Sequence, residues 1–322
     1  MSAPVDVPVG VGARAPWQTL VAVVVTLAGA GLAVRHWPVL DAGADQLVVA
    51  DRGWLSLAAL LAVLTWAGAA LALQGAVREA LPAGRLVAAQ FAASAANHVL
   101  PAGLGAGAVN LRFLTRRGLA PGRAVTALAV KGAAGAVVRT GLVAGLAVAC
   151  PGVLRVPSMG GTRLVVGVSV ALAALATAGA FMLFRRRTGR SARLRRAAAR
   201  AVADVRAVHA NPSRAAALWG GSLLFALLHT GVVVAVARAL DLSLPVGEVG
   251  LAYLAASSAA VLLPTPGGLG SLDAALAWAL TAAGASAQES LSVVIGYRLL
   301  TVWVPLVPGL LVLAGLVRTK VL

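Results

Sequence analysis

Leu263-Pro-Thr-Pro-Gly-Gly-Leu-Gly270 interrupts the apolar segment 249–283, and Leu100-Pro-Ala-Gly-Leu-Gly-Ala-Gly107 interrupts the segment 86–111 in the same way. Proline removes a backbone donor and glycine weakens a helix, so each segment is predicted to split into two short helices. Arms of about 13–15 residues reach roughly 20 Å, which is past the middle of a bilayer but not across it. Both segments are therefore predicted to be re-entrant helical hairpins.

The composition places the chain among membrane proteins. Of its 322 residues 60% are hydrophobic and 11% charged, with a mean hydropathy of +0.91, whereas soluble domains have about 25% charged residues. A barrel would need strands of alternating polarity, and one cysteine, Cys150, excludes a disulfide scaffold. We predict an all-α polytopic membrane protein with about six full spans, at 17–34, 54–74, 124–149, 163–184, 215–238 and 291–317.

The positions of the basic residues predict the orientation. The net charge is +17, and the loops on the side of the N-terminus hold nineteen Lys/Arg against four opposite, if both hairpins return to their own side. Both termini are then cytoplasmic, in the bacterial inner membrane. A rival arrangement, with 86–111 as one broken span and the N-terminus outside, fits almost as well. The basic segment 185–214 has no Phe, Tyr or Trp to stack on bases, so membrane lipids and not nucleic acid are the expected partners.

The two halves of the chain resemble each other. Ser94-Ala-Ala-Asn-His-Val-Leu-Pro101 is similar to Ser257-Ser-Ala-Ala-Val-Leu-Leu-Pro264. Because three spans separate the hairpins, the halves would face opposite ways, as the inverted repeats of secondary transporters do. We predict one integral membrane domain, made of a tail at 1–16, a first half at 17–149, a second half at 150–317 with a basic cytoplasmic loop at 185–214, and a tail at 318–322.

Two motifs carry a resemblance to a known family. The segment from Asn97 to Arg112 resembles the first motif of the lysylphosphatidylglycerol synthase transmembrane-region family, also called the flippase-like domain. The resemblance covers roughly residues 54–317 and implies a multispan fold that moves aminoacylated or glycan-linked lipids between leaflets. The second, more specific motif is similar to Pro264-Thr-Pro-Gly-Gly-Leu-Gly270 followed by Asp273, Gly284, Tyr297, Arg298, Trp303 and Gly309.

The chain departs from the family pattern at three places. Asp273 stands where family members often have glutamate. Many members carry an acidic residue beside an arginine in the span after the first hairpin, whereas here Val130-Lys-Gly-Ala-Ala-Gly-Ala-Val-Val-Arg139 holds no acid. An ion pair or proton route at that span is therefore not carried over. The chain ends at Leu322 without the soluble aminoacyl-transferase domain, so synthase activity is not expected.

Charged residues inside predicted spans are the first candidates for a binding site, because a charge there is costly and usually functional. Lys131, Arg139 and Arg298 outnumber one acid, Asp273, which favours an anionic ligand such as a lipid phosphate. The alternative is structural, with the basic side chains snorkelling or binding carbonyls of the broken hairpins. Asp273 either complements the helix dipole, with Ser271 as N-cap, or pairs with Arg298 or Arg139.

Other residues near the hairpin tips complete the predicted headgroup site. Arg112 is either a topological anchor or a ligand, Asn97 and His98 bond the broken backbone or the ligand, and Tyr297 follows from its place in the second motif. His229 is expected to be a hydrogen-bonded packing residue. The tips either admit a headgroup to the positive helix ends or only make the turn; their residues are Pro101, Gly103, Gly105, Pro264, Pro266, Gly267, Gly268 and Gly270.

Two functions remain open at this point. The first is a lipid translocator for an anionic phospholipid or a polyprenyl-phosphate-linked lipid, with its two halves rocking around the site. The second is an accessory subunit without transport activity that docks a lipid-modifying or glycosyl transferase through the loop 185–214. No nucleophile–base pair, zinc ligand set or nucleotide loop is recognisable, so we expect no catalysis, cofactor or metal. Gly141-Leu-Val-Ala-Gly145 fits a small-residue packing pattern but is weak grounds for a dimer.

Overall fold

The structure, a computed structural model, describes residues 47–99, 104–149, 192–261 and 270–322, and its regular elements there are all helical. The predicted spans 17–34 and 163–184 lie outside the described residues. In chain order the helices are α1 Arg52–Ala76, α2 Ala83–Val99, α3 Leu104–Arg116, α4 Pro121–Ala149, α5 Ala192–His209, α6 Pro212–Ala239, α7 Val246–Ala260, α8 Ser271–Ala282, α9 Ala287–Arg298 and α10 Val304–Arg318, with a π-helical turn at Leu299–Trp303 between the last two.

Four helices in the described part of the chain are long and apolar enough to cross a membrane: α1, α4, α6 and the continuous run Ala287–Arg318. They coincide with the four predicted spans that fall in this part. Their starts follow the polar residues that precede the apolar runs: the Asp51 carboxylate accepts a hydrogen bond from the Trp54 N–H, and the Asn211 side chain caps α6 ahead of Pro212. Hydropathy thus sets the extent of these four helices, and side-chain caps fix the starts of α1 and α6.

The segment 86–111 folds into two helices that pack antiparallel. The Gln90 amide on α2 donates to the Asn110 side-chain oxygen on α3 at 2.6 Å, although twenty residues in one straight helix would span about 30 Å. Nearer the tip, a Cβ on Gly105 would overlap the backbone of Ala96, so the arms touch main chain to main chain. Helices α7 and α8 also pack against each other. Whether the two pairs are re-entrant in a membrane stays a prediction.

The long helices α1 and α6 form an antiparallel seam between the two halves. A Cβ on Gly75 would overlap the backbone of Leu218, and a Cβ on Gly221 would overlap the backbone of Ala72. Small residues therefore bring the two backbones together, which is how apolar helices gain packing energy in lipid. The predicted pattern at Gly141 and Gly145 is not part of this seam, since both glycines have open space around them.

One helix of each half packs against a short helix of the other half. Helix α4 of the first half packs on α7 of the second, and α10 of the second half packs on α2 of the first, where a Cβ on Gly309 would lie 2.7 Å from the Ala95 side chain. Each half follows the same order of a long helix, two short helices and a long helix. This order agrees with the predicted repeat, whose inverted symmetry stays a prediction.

Within the basic connection 185–214, residues 192–209 form the helix α5. Its sequence is amphipathic at helical spacing, and Val208 is buried in the core while Arg206 is exposed. Asp204 lies 3.8 Å from Arg123 at the start of α4, which also pairs with Glu79 at 3.0 Å. Helix α5 is therefore held against the ends of α1 and α4.

The last long helix widens at Leu299–Trp303. Pro305 has no N–H to donate and its ring crowds the preceding turn, so the ordinary α-helical bond pattern cannot pass it. The Val304 N–H donates to the Leu299 carbonyl, as in a π turn, and the Thr301 hydroxyl donates to the Tyr297 carbonyl at 2.7 Å. Such π turns recur at functional sites, and this one begins directly after Arg298.

Candidate functional site

An ion pair joins α8 to the end of α9. The Arg298 guanidinium Nε donates to the Asp273 carboxylate, and Arg298 is only 6% exposed. About a quarter of the Asp273 side chain is exposed (27%), so the pair lies at the edge of the packed interior. The structure thus brings together two of the predicted site residues, and we call them the central ion pair.

Asp273 also caps the first turn of α8. Its second carboxylate oxygen accepts the Gly270 N–H at 2.8 Å, and Gly270 is the N-cap with φ of +83°, a conformation that glycine adopts without a Cβ clash. Ser271 is therefore the first helical residue and not the N-cap, because the positive φ falls one residue earlier. The two roles weighed for Asp273, helix end and ion-pair partner, are both present.

Two tyrosines and a histidine form a buried network beside the central ion pair. The Tyr297 hydroxyl lies 3.2 Å from the Tyr253 hydroxyl and 3.1 Å from His229 Nδ1. The network joins α6, α7 and α9, and the His229 hydrogen bond expected from the sequence is present. Tyr253 is missing from the predicted site, because a lone tyrosine in an apolar helix gives no sequence signal of a partner.

Arg139 on α4 reaches the second hairpin. Its guanidinium donates to the Ser257 carbonyl on α7 at 3.4 Å, and its charge is within electrostatic range of His229 and Tyr253. A cation thus approaches a helix near its C-terminal end, where backbone carbonyls have no intrahelical donors. Arg139 and Arg298 both belong to the surroundings of the Tyr–His network.

The C-terminal end of α2, where His98 lies, is close to this site. His98 stands second from the C-terminus of α2, and the charges of Arg298 and Asp273 both act on it. Its Nδ1 atom is buried without a hydrogen-bond partner in the described part of the chain. A buried polar atom without a partner is costly, which makes His98 a candidate to bond a ligand.

Lys131 belongs to a different network, in the first half. Its ammonium donates to Gln90 at 2.9 Å, and the Gln90 amide donates to Asn110. Gln90 and Asn110 are 4% and 5% exposed. Neither residue is in the predicted site, because each lies two to three turns from the Leu-Pro tip that guided the search.

The remaining predicted residues are placed as follows. Arg112 is exposed on α3, and Asn97 is half-buried near the end of α2, its backbone beside Gly105. Among the described residues no cluster of three or more His, Cys, Asp or Glu side chains is arranged to hold a metal. The tip residues Pro101, Gly103, Pro264, Pro266, Gly267 and Gly268 lie outside the described residues.

The central ion pair joins two residues of the second motif, Asp273 and Arg298, and the family comparison covers both. The chain matches the family described as Lysylphosphatidylglycerol synthase TM region over residues 14–309. It belongs to this family. A comparison with curated proteins finds no match. Membership confirms the resemblance seen in the two motifs, and it makes the chain a multi-pass membrane protein associated with membrane lipids and their metabolism.

Proposed function

We propose that the protein is a lipid translocator that moves an anionic or phosphate-bearing lipid between the leaflets of a bacterial inner membrane. The observation that carries this proposal is Arg298, an almost fully buried arginine in a helix long enough to span a membrane. Such charges are costly and are kept mostly where a substrate passes. A lipid phosphate is the natural competitor for Asp273, because guanidinium binds phosphate and carboxylate with the same planar geometry.

The groups around Arg298 suit a phosphate-bearing headgroup. Arg139 supplies a second cation, and His98 and the tyrosine hydroxyls supply hydrogen bonds. These side chains come from both halves of the chain, so a movement of one half against the other would open the site to one leaflet and then to the other. The lipid tails would stay in the bilayer. No chemical step is part of this proposal.

The proposed orientation puts α5 in the cytoplasm. Helix α5, with five arginines in its sequence, is held against the ends of α1 and α4, where Arg123 pairs with Glu79 and Asp204. Basic segments stay on the cytoplasmic side, where anionic lipid headgroups attract them. With α10 ending on the same side, both chain termini would be cytoplasmic.

The proposal is tested by mass spectrometry of lipids that copurify with the protein in mild detergent, for wild type, Arg298→Ala and Arg318→Ala. Arg318 is exposed at the end of α10, so its replacement is the matched control. We expect enrichment of one anionic or polyprenyl-phosphate lipid in wild type and Arg318→Ala, and its loss in Arg298→Ala. A lipid profile equal to the bulk membrane in all three proteins would refute the binding site.

Transport itself is measured in sealed vesicles of phosphatidylglycerol and phosphatidylethanolamine with a headgroup-labelled phosphatidylglycerol probe. Wild type should equilibrate the probe between leaflets faster than protein-free vesicles, and Arg298→Ala should not. A docking subunit would show the reverse sensitivity: neutral replacements of arginines in 185–214 would abolish function in cells, and Arg298→Ala would leave it intact.

A further inference from the structure

The chain of polar groups that ends at Lys131 has a fixed direction. The Asn110 amide nitrogen donates to the Ala106 carbonyl at 2.9 Å, so its oxygen is left to accept from Gln90. The Gln90 nitrogen is therefore committed to Asn110, and its oxygen accepts from Lys131. Because an amide has one acceptor end and one donor end, this order fixes how each group points. The ammonium of Lys131 is thereby held on the α2 side of α4.

These hydrogen bonds position the charge of Lys131 but do not neutralise it. Gln90 and Asn110 are neutral, and an ammonium has three N–H donors of which Gln90 accepts one. Arg298 differs in this respect, since it faces the Asp273 carboxylate. A cation in an apolar span that is oriented by neutral amides is suited to receive an anion from outside the protein.

Lys131 and Arg139 straddle the middle of α4. The helix Pro121–Ala149 has 29 residues and a length of about 43 Å, so its midpoint is near residue 135. The two cations stand four residues before and after that midpoint, about 6 Å to either side. Lys131 contacts the first hairpin at Gln90, and Arg139 contacts the second at Ser257.

We propose that Lys131, oriented by Gln90 and Asn110, is a second binding site for the lipid phosphate, about 12 Å along α4 from Arg139. We call such a site, where the phosphate pauses during its crossing, a station. This inference rests on the proposed translocation. The headgroup binds at Lys131 on the cytoplasmic side of the helix midpoint and at Arg139 and Arg298 on the other side. Two stations divide a hydrocarbon core of about 30 Å into short steps, so the phosphate is never far from a cation.

Three variants separate a station from a structural lysine in the vesicle assay with labelled phosphatidylglycerol. Lys131→Gln removes the charge, Lys131→Arg keeps it, and Gln90→Glu supplies a carboxylate that occupies the ammonium. If Lys131 is only structural, Gln90→Glu should still move the probe, because the bond to Lys131 is kept and strengthened. The bond that the Gln90 nitrogen donates to Asn110 is lost, so size-exclusion chromatography must first show that this variant folds. A station would be blocked by Gln90→Glu. Lys320→Gln, in the exposed tail after α10, is the control.

We expect Lys131→Gln and Gln90→Glu to slow probe movement by about tenfold, which corresponds to a barrier raised by about 1.4 kcal/mol. Lys131→Arg keeps a charge and should slow the probe less than Lys131→Gln does, and Lys320→Gln should remain close to the wild-type rate. All four variants should still retain lipid on purification, because the central ion pair is intact. Wild-type rates in both Gln90→Glu and Lys131→Gln would overturn the station and leave the translocator standing. A wild-type protein that moves no probe would overturn both.

Discussion

The two helix pairs have a common layout but are fixed in the bundle by different interactions. In the first pair, α2 and α3, the arms meet at Gly105 and share a hydrogen bond between two neutral amides, Gln90 and Asn110. In the second pair, α7 and α8, the leading turn of α8 is fixed by the Asp273 carboxylate, which also pairs with Arg298. The first pair depends on shape and dipoles, whereas the attachment of the second pair to α9 depends on charge.

This difference indicates which kind of substitution should destabilise each helix pair. Close backbone contact tolerates no added atom, whereas an ion pair tolerates changes of shape but not of charge. Substitutions that add volume should therefore damage the first pair most, and substitutions that remove charge should damage the second. The experiments below test this contrast by thermal unfolding in detergent, followed by size-exclusion chromatography.

The largest effect is expected from Gly105→Val in the first pair. The new side chain would overlap the Ala96 carbonyl, and two packed helices cannot separate without losing the Gln90–Asn110 bond. We expect a loss above about 3 kcal/mol, seen as aggregation and a low folded yield. Gly107→Val is the matched control, because Gly107 has open space around it and should be tolerated. Equal yields of the two variants would contradict the close contact.

The next effect is expected from Asp273→Asn in the second pair. The substitution keeps the shape but leaves the Arg298 charge buried without its carboxylate, which costs about 3 kcal/mol or somewhat less at this partly exposed position. The melting temperature should fall, and Arg298→Gln in the same chain should restore part of it. Asp241→Asn is the control, because Asp241 is exposed at φ of +55°, where asparagine is favoured. An unchanged melting temperature in Asp273→Asn would show that the ion pair is not needed for stability.

The positions of these helix pairs can be predicted from the sequence, but the hydrogen bonds and ion pair that their side chains make cannot. Pro-Gly interruptions and apolar lengths predict the four described spans and the two divided segments, because hydropathy and helix breaking are local properties. The partners of Lys131 are not local: Gln90 lies 41 residues before it, and an apolar stretch with one glutamine or asparagine indicates no partner. The central ion pair was one of two readings for Asp273, and the geometry shows that both apply.

Other features escaped prediction for related reasons. The helix α5 is not predicted within the basic connection 185–214, although its Leu and Val residues recur at helical spacing. The α1–α6 seam depends on Gly75 and Gly221, and in a chain with 36 glycines no single glycine is conspicuous. The small-residue spacing at Gly141 and Gly145 has open space around it within one chain, because spacing says nothing about which helix lies opposite.

A smaller effect is expected from Asn110→Ala in the first pair. The Gln90 amide then lies buried without its acceptor, at a cost of about 1–3 kcal/mol. Replacing Gln90 with leucine in the same chain removes the unpaired amide but also the acceptor of the Lys131 ammonium, so it should recover only part of the stability. The double variant should nevertheless move lipid more slowly, because Lys131 loses its orienting oxygen. A double variant less stable than Asn110→Ala would contradict this account.

The smallest effect is expected from Gly270→Ala in the second pair. A side chain at φ of +83° is strained although nothing crowds the position, and we expect a loss of about 1 kcal/mol. Gly84→Ala, in the first turn of α2 with open space around it, should instead be neutral or slightly stabilising. If both substitutions raise the melting temperature, Gly270 does not hold a strained turn.

The exchange of partners between the halves has a consequence for biogenesis. Gly309 packs on Ala95 and Phe91, so the first hairpin meets a neighbour that the ribosome makes more than 200 residues later. At about 5–20 residues per second, that interval is roughly 10–40 seconds. During this time the small-residue surface of α2 around Ala95 must wait without α10. Chaperones or insertases that shield a half-made bundle would act in this window.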